Sequence, residues 1–176
     1  MQNVIWITGL SAAGKTTLAN GVKKSLLNKG YPTIILDGDN LRDCFNAKDS
    51  NRRDDRKNRA FTYSKLARML SEQNLIVIVG AIALFKEIHK WNKENIDGYF
   101  EVFLNTPLDV LKERDPKKLY EKFDKGEIKD VAGLDIEVDF PVSPDLEIVF
   151  KRGDTPDLLV DLIVKKFLSF RSKRND

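Results

Sequence analysis

Cysteine, histidine, long apolar runs and a strong charge of one sign are all missing or nearly so from this chain. A single cysteine, Cys44, excludes an internal disulfide and a cysteine-based metal cluster, and it fits a reducing compartment. The lone histidine, His89, has no second ligand at metal-binding spacing and is assigned no role, and neither are Cys44 or the basic tail Arg171-Ser172-Lys173-Arg174. The longest apolar stretch, 75–85, is broken by Gly80 and falls far short of the roughly 20 residues a bilayer demands. Met1-Gln2-Asn3 lacks the basic start of a secretory leader, so a soluble, cytoplasmic protein is expected. Thirty Lys and Arg against twenty-seven Asp and Glu leave a formal charge of +3, spread evenly along the chain. That balance argues against nucleic acid and membrane as partners.

What remains is a chain of 176 residues, the length of one domain (1–176), able to bury roughly 70% of the surface its unfolded form exposes. Its most informative segment is Gly9-Leu10-Ser11-Ala12-Ala13-Gly14-Lys15-Thr16-Thr17, which matches G-x-x-x-x-G-K-[ST]. It follows directly on Val4-Ile5-Trp6-Ile7, an apolar run that reads as a buried strand. A loop of such small residues turns its backbone N–H groups around phosphate, and the helix it opens aims its positive end at the same charge. Lys15 supplies a mobile cation and Thr16 a hydroxyl for Mg²⁺. An ordinary glycine turn would need neither the strand before it nor the helix after it.

That helix carries Leu18, Val22, Leu26 and Leu27 at helical spacing and is closed by Gly30. Strand 33–36 follows and ends on Asp37-Gly38-Asp39-Asn40, read as a turn. Charged residues 50–58 lead into a helix with Phe61, Leu66, Met69 and Leu70, then strand 75–79, a short helix near 85–91, strand 99–104 and helix 108–114. Residues 115–145 contain Pro116, Pro141, Pro144 and scattered charge but no long apolar run, which predicts a surface helix plus a mobile excursion, a lid. Strand 146–150 and a final helix capped by Thr155-Pro156-Asp157 complete the chain. Strands that are apolar throughout and alternate with helices predict a five-stranded parallel sheet covered on both faces, an α/β three-layer sandwich of the P-loop kinase kind. Ligands then sit beyond the carboxyl ends of the strands, which puts Lys15 and Asp39 in one cleft.

Within that cleft, Asp37 and Asp39 end the second strand, where one carboxylate can support metal-bound water and the other accept a hydroxyl proton. The competing reading is an Asx turn whose side chains only cap the next helix. No acidic residue ends the third strand, since Val79 runs into Gly80, so Thr16 and Asp37 are assigned to the metal. That absence, with the lack of a guanine-reading Asn-Lys-x-Asp, argues against motor ATPases and switch GTPases. Arg42, Arg56 and Arg59 lie between strands two and three, where a second, anionic substrate would meet the γ-phosphate, and guanidinium suits phosphate. Of the lid lysines, Lys117, Lys122, Lys125 and Lys129 read as a solvated face, while Lys118 is assigned to the acceptor.

These residues resemble adenylyl-sulfate kinase, the enzyme that phosphorylates the ribose 3′-hydroxyl of adenosine 5′-phosphosulfate with MgATP. The likeness spans nearly the whole chain: 9–17, Leu36-Asp37-Gly38-Asp39-Asn40-Leu41-Arg42, Asp55-Arg56, and the string from Thr106-Pro107-Leu108 through Arg114-Asp115-Pro116-Lys117 to Gly126-Glu127-Ile128-Lys129. The resemblance gives the loop to ATP phosphates, Asp39 with Lys15 to catalysis, Arg42 and Arg56 to the acceptor, and Arg114 with the lid to closure over ATP.

The departures all fall on the acceptor side. The family's two base-stacking phenylalanines correspond to Asn51 and Val131, its Asn after Asp-Arg to Arg59, and its Ile-Ser-Pro-Phe/Tyr-Arg to Ile82-Ala83-Leu84-Phe85-Lys86. Stacking is worth roughly 1–3 kcal/mol per base, so an adenine grip weaker by about ten- to thousand-fold is expected. The resulting expectation is a 3′-hydroxyl kinase for a small anionic nucleotide other than adenylyl sulfate. Cytidine diphosphoramidate fits best, the acceptor of a branch of this family in bacterial capsule assembly. A true adenylyl-sulfate kinase is the alternative, and a non-catalytic nucleotide sensor, which would have damaged Lys15 or Asp39, is the reading from another class. A homodimer is the assembly left open.

Overall fold

The computed structural model describes residues 2–45 and 52–174. Strands β1 (Asn3–Thr8), β2 (Thr33–Asp37), β3 (Ile76–Gly80), β4 (Tyr99–Asn105) and β5 (Leu146–Val149) form one sheet in the order β2-β3-β1-β4-β5. Every pairing is parallel, with Ile5 opposite Ile78 on one side and Phe100 on the other. The connecting helices are α1 (Lys15–Asn28), α2 (Gly38–Cys44), α3 (Arg53–Ser71), α4 (Lys86–Asn95), α5 (Leu108–Arg114), α6 (Leu119–Asp124) and α7 (Pro156–Ser172).

Parallel strands need crossovers, and the helices of those crossovers cover both faces, so both sides of a strand are predominantly apolar. Along β1, Ile5 and Ile7 face α1 and α7, packing with Leu18, Val22, Leu26, Ile163 and Phe167. Val4 and Trp6 face the opposite way, into a second core with Val77, Val79, Ala67 and Ile88 from β3, α3 and α4. Burying a side chain such as Phe167, fully shielded here, contributes roughly 1.5–3 kcal/mol. Thr155 caps α7, its hydroxyl accepting from the Leu158 N–H at 3.4 Å ahead of Pro156 in the first turn.

Two expectations are corrected. The segment after β2 is not a turn but the start of α2, whose N-cap is Asp37. Its Oδ1 accepts from the N–H groups of Asp39 and Asn40 at 3.0 and 3.4 Å, so the Asx capping reading holds for this residue. In the lid the expected surface helix is α6, but the segment after it is no open excursion: it contains a bridge between Ala132 and Ile136, and its returning limb, 137–145, is bonded to α3, α4 and β4.

Candidate active site

The loop between β1 and α1 is shaped by glycine where nothing else fits. Gly9 has φ +152°, and a Cβ there would lie 2.9 Å from the Leu104 carbonyl; Gly14, at φ +98°, is the N-cap of α1. No side chain caps α1 and no acid occupies its first turn, which leaves the positive helix end to an anion. The Lys15 ammonium donates to the Leu10 carbonyl at 2.7 Å. Burial pushes its pKa down to about 8, against Asp39 and Asp37, which raise it, and with Lys117, which lowers it further. A polyphosphate in the loop would reverse that balance and hold the ammonium charged.

Across from the loop, β2 ends beside it because β2 and β1 flank β3 in the sheet. The Thr16 hydroxyl donates to Asp37 Oδ2 at 2.9 Å, while the other oxygen of Asp37 caps α2. Asp39, one residue into α2, is ion-paired to Lys117 of the lid. Burial works to raise the Asp39 carboxyl, but the Lys117 hydrogen bond and charge, then Arg42 and Lys15, bring it below the usual range. Asp39 is therefore a carboxylate at neutral pH.

One cavity of about 1020 Å³ contains both halves. Ser11 through Thr17, Asp37, Asp39, Arg42, Arg56, Arg59, Ile82, Ala83 and Arg114 all line it, while Gly9 and Leu10 form the loop behind. Arg56 donates to the Asp130 carbonyl at 2.6 Å, and burial, then the adjacent Arg42 and Arg59 charges, bring it below its ordinary pKa. Three guanidiniums so close on one wall make a strongly anion-seeking surface. Arg114 stacks on the Phe150 ring at 4.8 Å and lines the cavity along with Asp154 and Leu159.

Three of the assigned residues are not among those the structure brings to the cavity. Val131 is buried at 3% exposure in the core, and Ala132, Ile136 and Val138 line the cavity in its stead. Lys118 turns toward Glu121, 3.9 Å away, and stays outside the cleft. Asn51 lies outside the described residues. Conversely, the sequence reading gave no site role to Lys117, read as a solvated face, or to Tyr63, Phe85 and Tyr120. Lys117 is the lysine that reaches Asp39; Tyr63 and Phe85 line the cavity. The Tyr120 hydroxyl, held protonated by burial and Asp115 with a pKa near 12, donates to the Ser11 carbonyl at 3.0 Å and ties α6 to the phosphate loop.

Among the described residues no cluster of three or more His, Cys, Asp or Glu could cage a metal. The Thr16 hydroxyl and Asp37 carboxylate fit the sparser oxygen set with which Mg²⁺ is held beside a nucleotide, where phosphate and water complete the shell. No helix of the described residues is long and apolar enough to cross a membrane.

A profile of the adenylylsulphate kinase family matches residues 1–149. The adenylyl-sulfate kinase of Bacillus pumilus is 36% identical over 170 residues, 94% of this chain and 86% of that protein. Its counterpart in Pseudomonas aeruginosa is 37% identical over 171 residues, 95% and 84% of the two chains. A Mycobacterium tuberculosis APS kinase solved with AMPPNP and APS superposes with a TM-score of 0.88 at 33% identity, covering 95% of this chain and 98% of that one. A shikimate kinase from Aquifex aeolicus, 18% identical with a TM-score of 0.56 and coverage of 97% and 98%, shares the fold alone. With the family profile matching residues 1–149 and adenylyl-sulfate kinases 36% and 37% identical over 94% and 95% of the chain, the chain belongs to the adenylylsulphate kinase family.

Proposed function

We propose that this protein transfers the γ-phosphoryl group of ATP to the ribose 3′-hydroxyl of a small anionic nucleotide, with adenylyl sulfate as the acceptor its relatives' names point to. One observation carries the reading: Lys15 and Asp39 share a cavity that Arg42, Arg56 and Arg59 also line. ATP lies along the loop from Gly9 to Thr17 with Arg114 at its distal end, and the acceptor's anionic group lies against the arginines. The acceptor hydroxyl gives its proton to Asp39 as its oxygen bonds to the γ-phosphorus. The bond from that phosphorus to the β,γ-bridging oxygen breaks, and ADP leaves. Lys15 draws charge from the transferring group. Mg²⁺, when bound, neutralises phosphate charge, and Thr16 and Asp37 are the residues that would hold it. Lys117 is paired with Asp39 Oδ2, so the acceptor hydroxyl meets the carboxylate at its other oxygen or displaces the lysine. The setting is cytoplasmic.

Cytidine diphosphoramidate, and with it a place in capsule assembly, is the second reading. It is favoured by the acceptor wall itself: Val131 is buried in the core and cannot stack on a base, and Arg59 lines the cavity where the family carries Asn. ADP release measured with the two acceptors side by side decides. A kcat/KM at least tenfold higher for adenylyl sulfate supports the first reading, and the reverse supports the second. Slow ADP release, unchanged by either nucleotide, would remove the kinase reading and favour a nucleotide sensor.

A further inference from the structure

The chain's single histidine, assigned no role on sequence grounds, sits at the junction between the sheet and the returning limb of the lid. Its Nδ1 is 2.6 Å from Glu101 Oε1 and its Nε2 is 3.2 Å from the Asp139 carbonyl. A carbonyl oxygen can only accept, so Nε2 must carry a proton. Glu101 is fully buried in β4, and its Oε1 also accepts from the Tyr99 hydroxyl at 2.8 Å. Its other oxygen, Oε2, lies 3.3 Å from the Lys93 ammonium, so both Glu101 oxygens face donors as a carboxylate's do, and Nδ1 must donate as well. Both ring nitrogens facing acceptors are satisfied only in the doubly protonated imidazolium.

The same limb is held at several further points. The Asp139 side chain accepts from Arg53 at 2.9 Å and from the Lys86 N–H at 3.2 Å, and its own N–H donates to the Leu84 carbonyl. Lys93 donates to the Ser143 carbonyl at 2.7 Å and faces Glu101 Oε2 at 3.3 Å, and Asp145 accepts from the Glu101 N–H at 2.8 Å. The groups around the ring are thus Glu101 and Tyr99 from β4, Lys93 and Lys86 from α4, Arg53 from α3, and Asp139 and Asp145 from the limb. Without the imidazolium charge, a carboxylate of zero exposure would keep only a partly exposed lysine as its cation. Just upstream of Asp139, Ile136 and Val138 line the active cavity beside Ala83 and Phe85.

We propose that His89 is a positioning residue which, as an imidazolium, clamps the returning lid limb to β4 and thereby sets the acceptor wall of the cavity. Its effect on acceptor binding rests on the function proposed above; its protonation and its hold on the limb do not. Because the chain has one histidine, its two ring ¹⁵N resonances are unambiguous. Both are expected at imidazolium positions at pH 7 without any substrate. In His89→Gln, amide exchange across 137–145 is expected to quicken at least tenfold. The KM for adenylyl sulfate, or for cytidine diphosphoramidate if that is the acceptor turned over, should rise several-fold with the KM for ATP within twofold. One bare ring nitrogen at pH 7, unchanged exchange in the limb, or an equal rise in both KM values would overturn the proposal. Should His89→Gln fail to fold, His89→Asn, whose shorter amide cannot span both acceptors, replaces it: faster exchange across 137–145 is expected, and unchanged exchange refutes the clamp. If neither nucleotide is phosphorylated, the resonances and the exchange still decide the matter.

Discussion

Replacing Lys117 with alanine separates the two things a lid lysine on Asp39 can do. In the resting protein Lys117 and Asp39 form a close ion pair, with their side chains 63% and 57% exposed. A pair that wet contributes at most about 1 kcal/mol, roughly a factor of five in any equilibrium it biases. Asp39 lies below the usual carboxylate range chiefly because the hydrogen bond and charge of Lys117 outweigh burial, with Arg42 and Lys15 helping. A base with a depressed pKa is active above that pKa and loses its role as the pH falls through it. Removing Lys117 should therefore move the acid limb of the kcat/KM profile upward, though Arg42 and Lys15 keep it from rising as far as burial alone would take it. At neutral pH, where Asp39 is ionised in both proteins, kcat/KM for the acceptor should change by less than about fivefold. The assay is ADP release between pH 4 and 8 at saturating ATP. An acid limb that stays put or moves down would refute the pairing as the cause of the depression. A loss beyond about tenfold at pH 7.5 would refute the view that Lys117 acts through Asp39 alone, because it would then be stabilising the transition state itself.

Two further substitutions test the frame that holds the site. Gly9→Ala puts a Cβ 2.9 Å from the Leu104 carbonyl at φ +152°, so ATP affinity measured by calorimetry should fall at least tenfold while the helical content stays that of the wild type. Gly21→Ala in α1 gains about 1 kcal/mol of helix propensity but drives a Cβ to 2.4 Å from Val160 Cγ2 on α7, and overpacking of that kind costs about 1–3 kcal/mol. A melting temperature lower than wild type by up to a few degrees is expected, and a higher one would mean that α7 shifts freely.

The sheet and the phosphate loop were legible because the signals that specify them are local. Val4 to Ile7 and Ile76 to Val79 are apolar on every residue, as only a strand buried on both faces needs to be. The loop's glycines and Lys15 sit at fixed spacing, and the carboxyl-edge rule was enough to put Asp39 opposite Lys15. What stayed hidden depends on contacts between residues far apart in the chain. Lys117 and Lys118 are adjacent and chemically identical. They are told apart by Asp115, whose carboxylate caps α6 by accepting from the Leu119 and Glu121 N–H groups at 2.7 and 3.0 Å, and by Lys118 adopting φ 53°. That turn sends Lys117 inward and Lys118 out. His89 looked idle because its partners, Glu101 and Asp139, are 12 and 50 residues away. Val131 matches a family position by register alone, and register does not reveal that, next to the Ala132–Ile136 bridge, its side chain packs into the core.

The most direct test of the central claim, one cavity with a phosphate cradle on one side and a proton-accepting carboxylate on the other, is a single-turnover measurement on Asp39→Asn. ATP affinity should stay within about threefold of wild type, while phosphoryl transfer to the acceptor slows by about 10²–10⁴, the usual worth of a general base. Transfer at more than about a tenth of the wild-type rate, with ATP bound normally, would contradict the account.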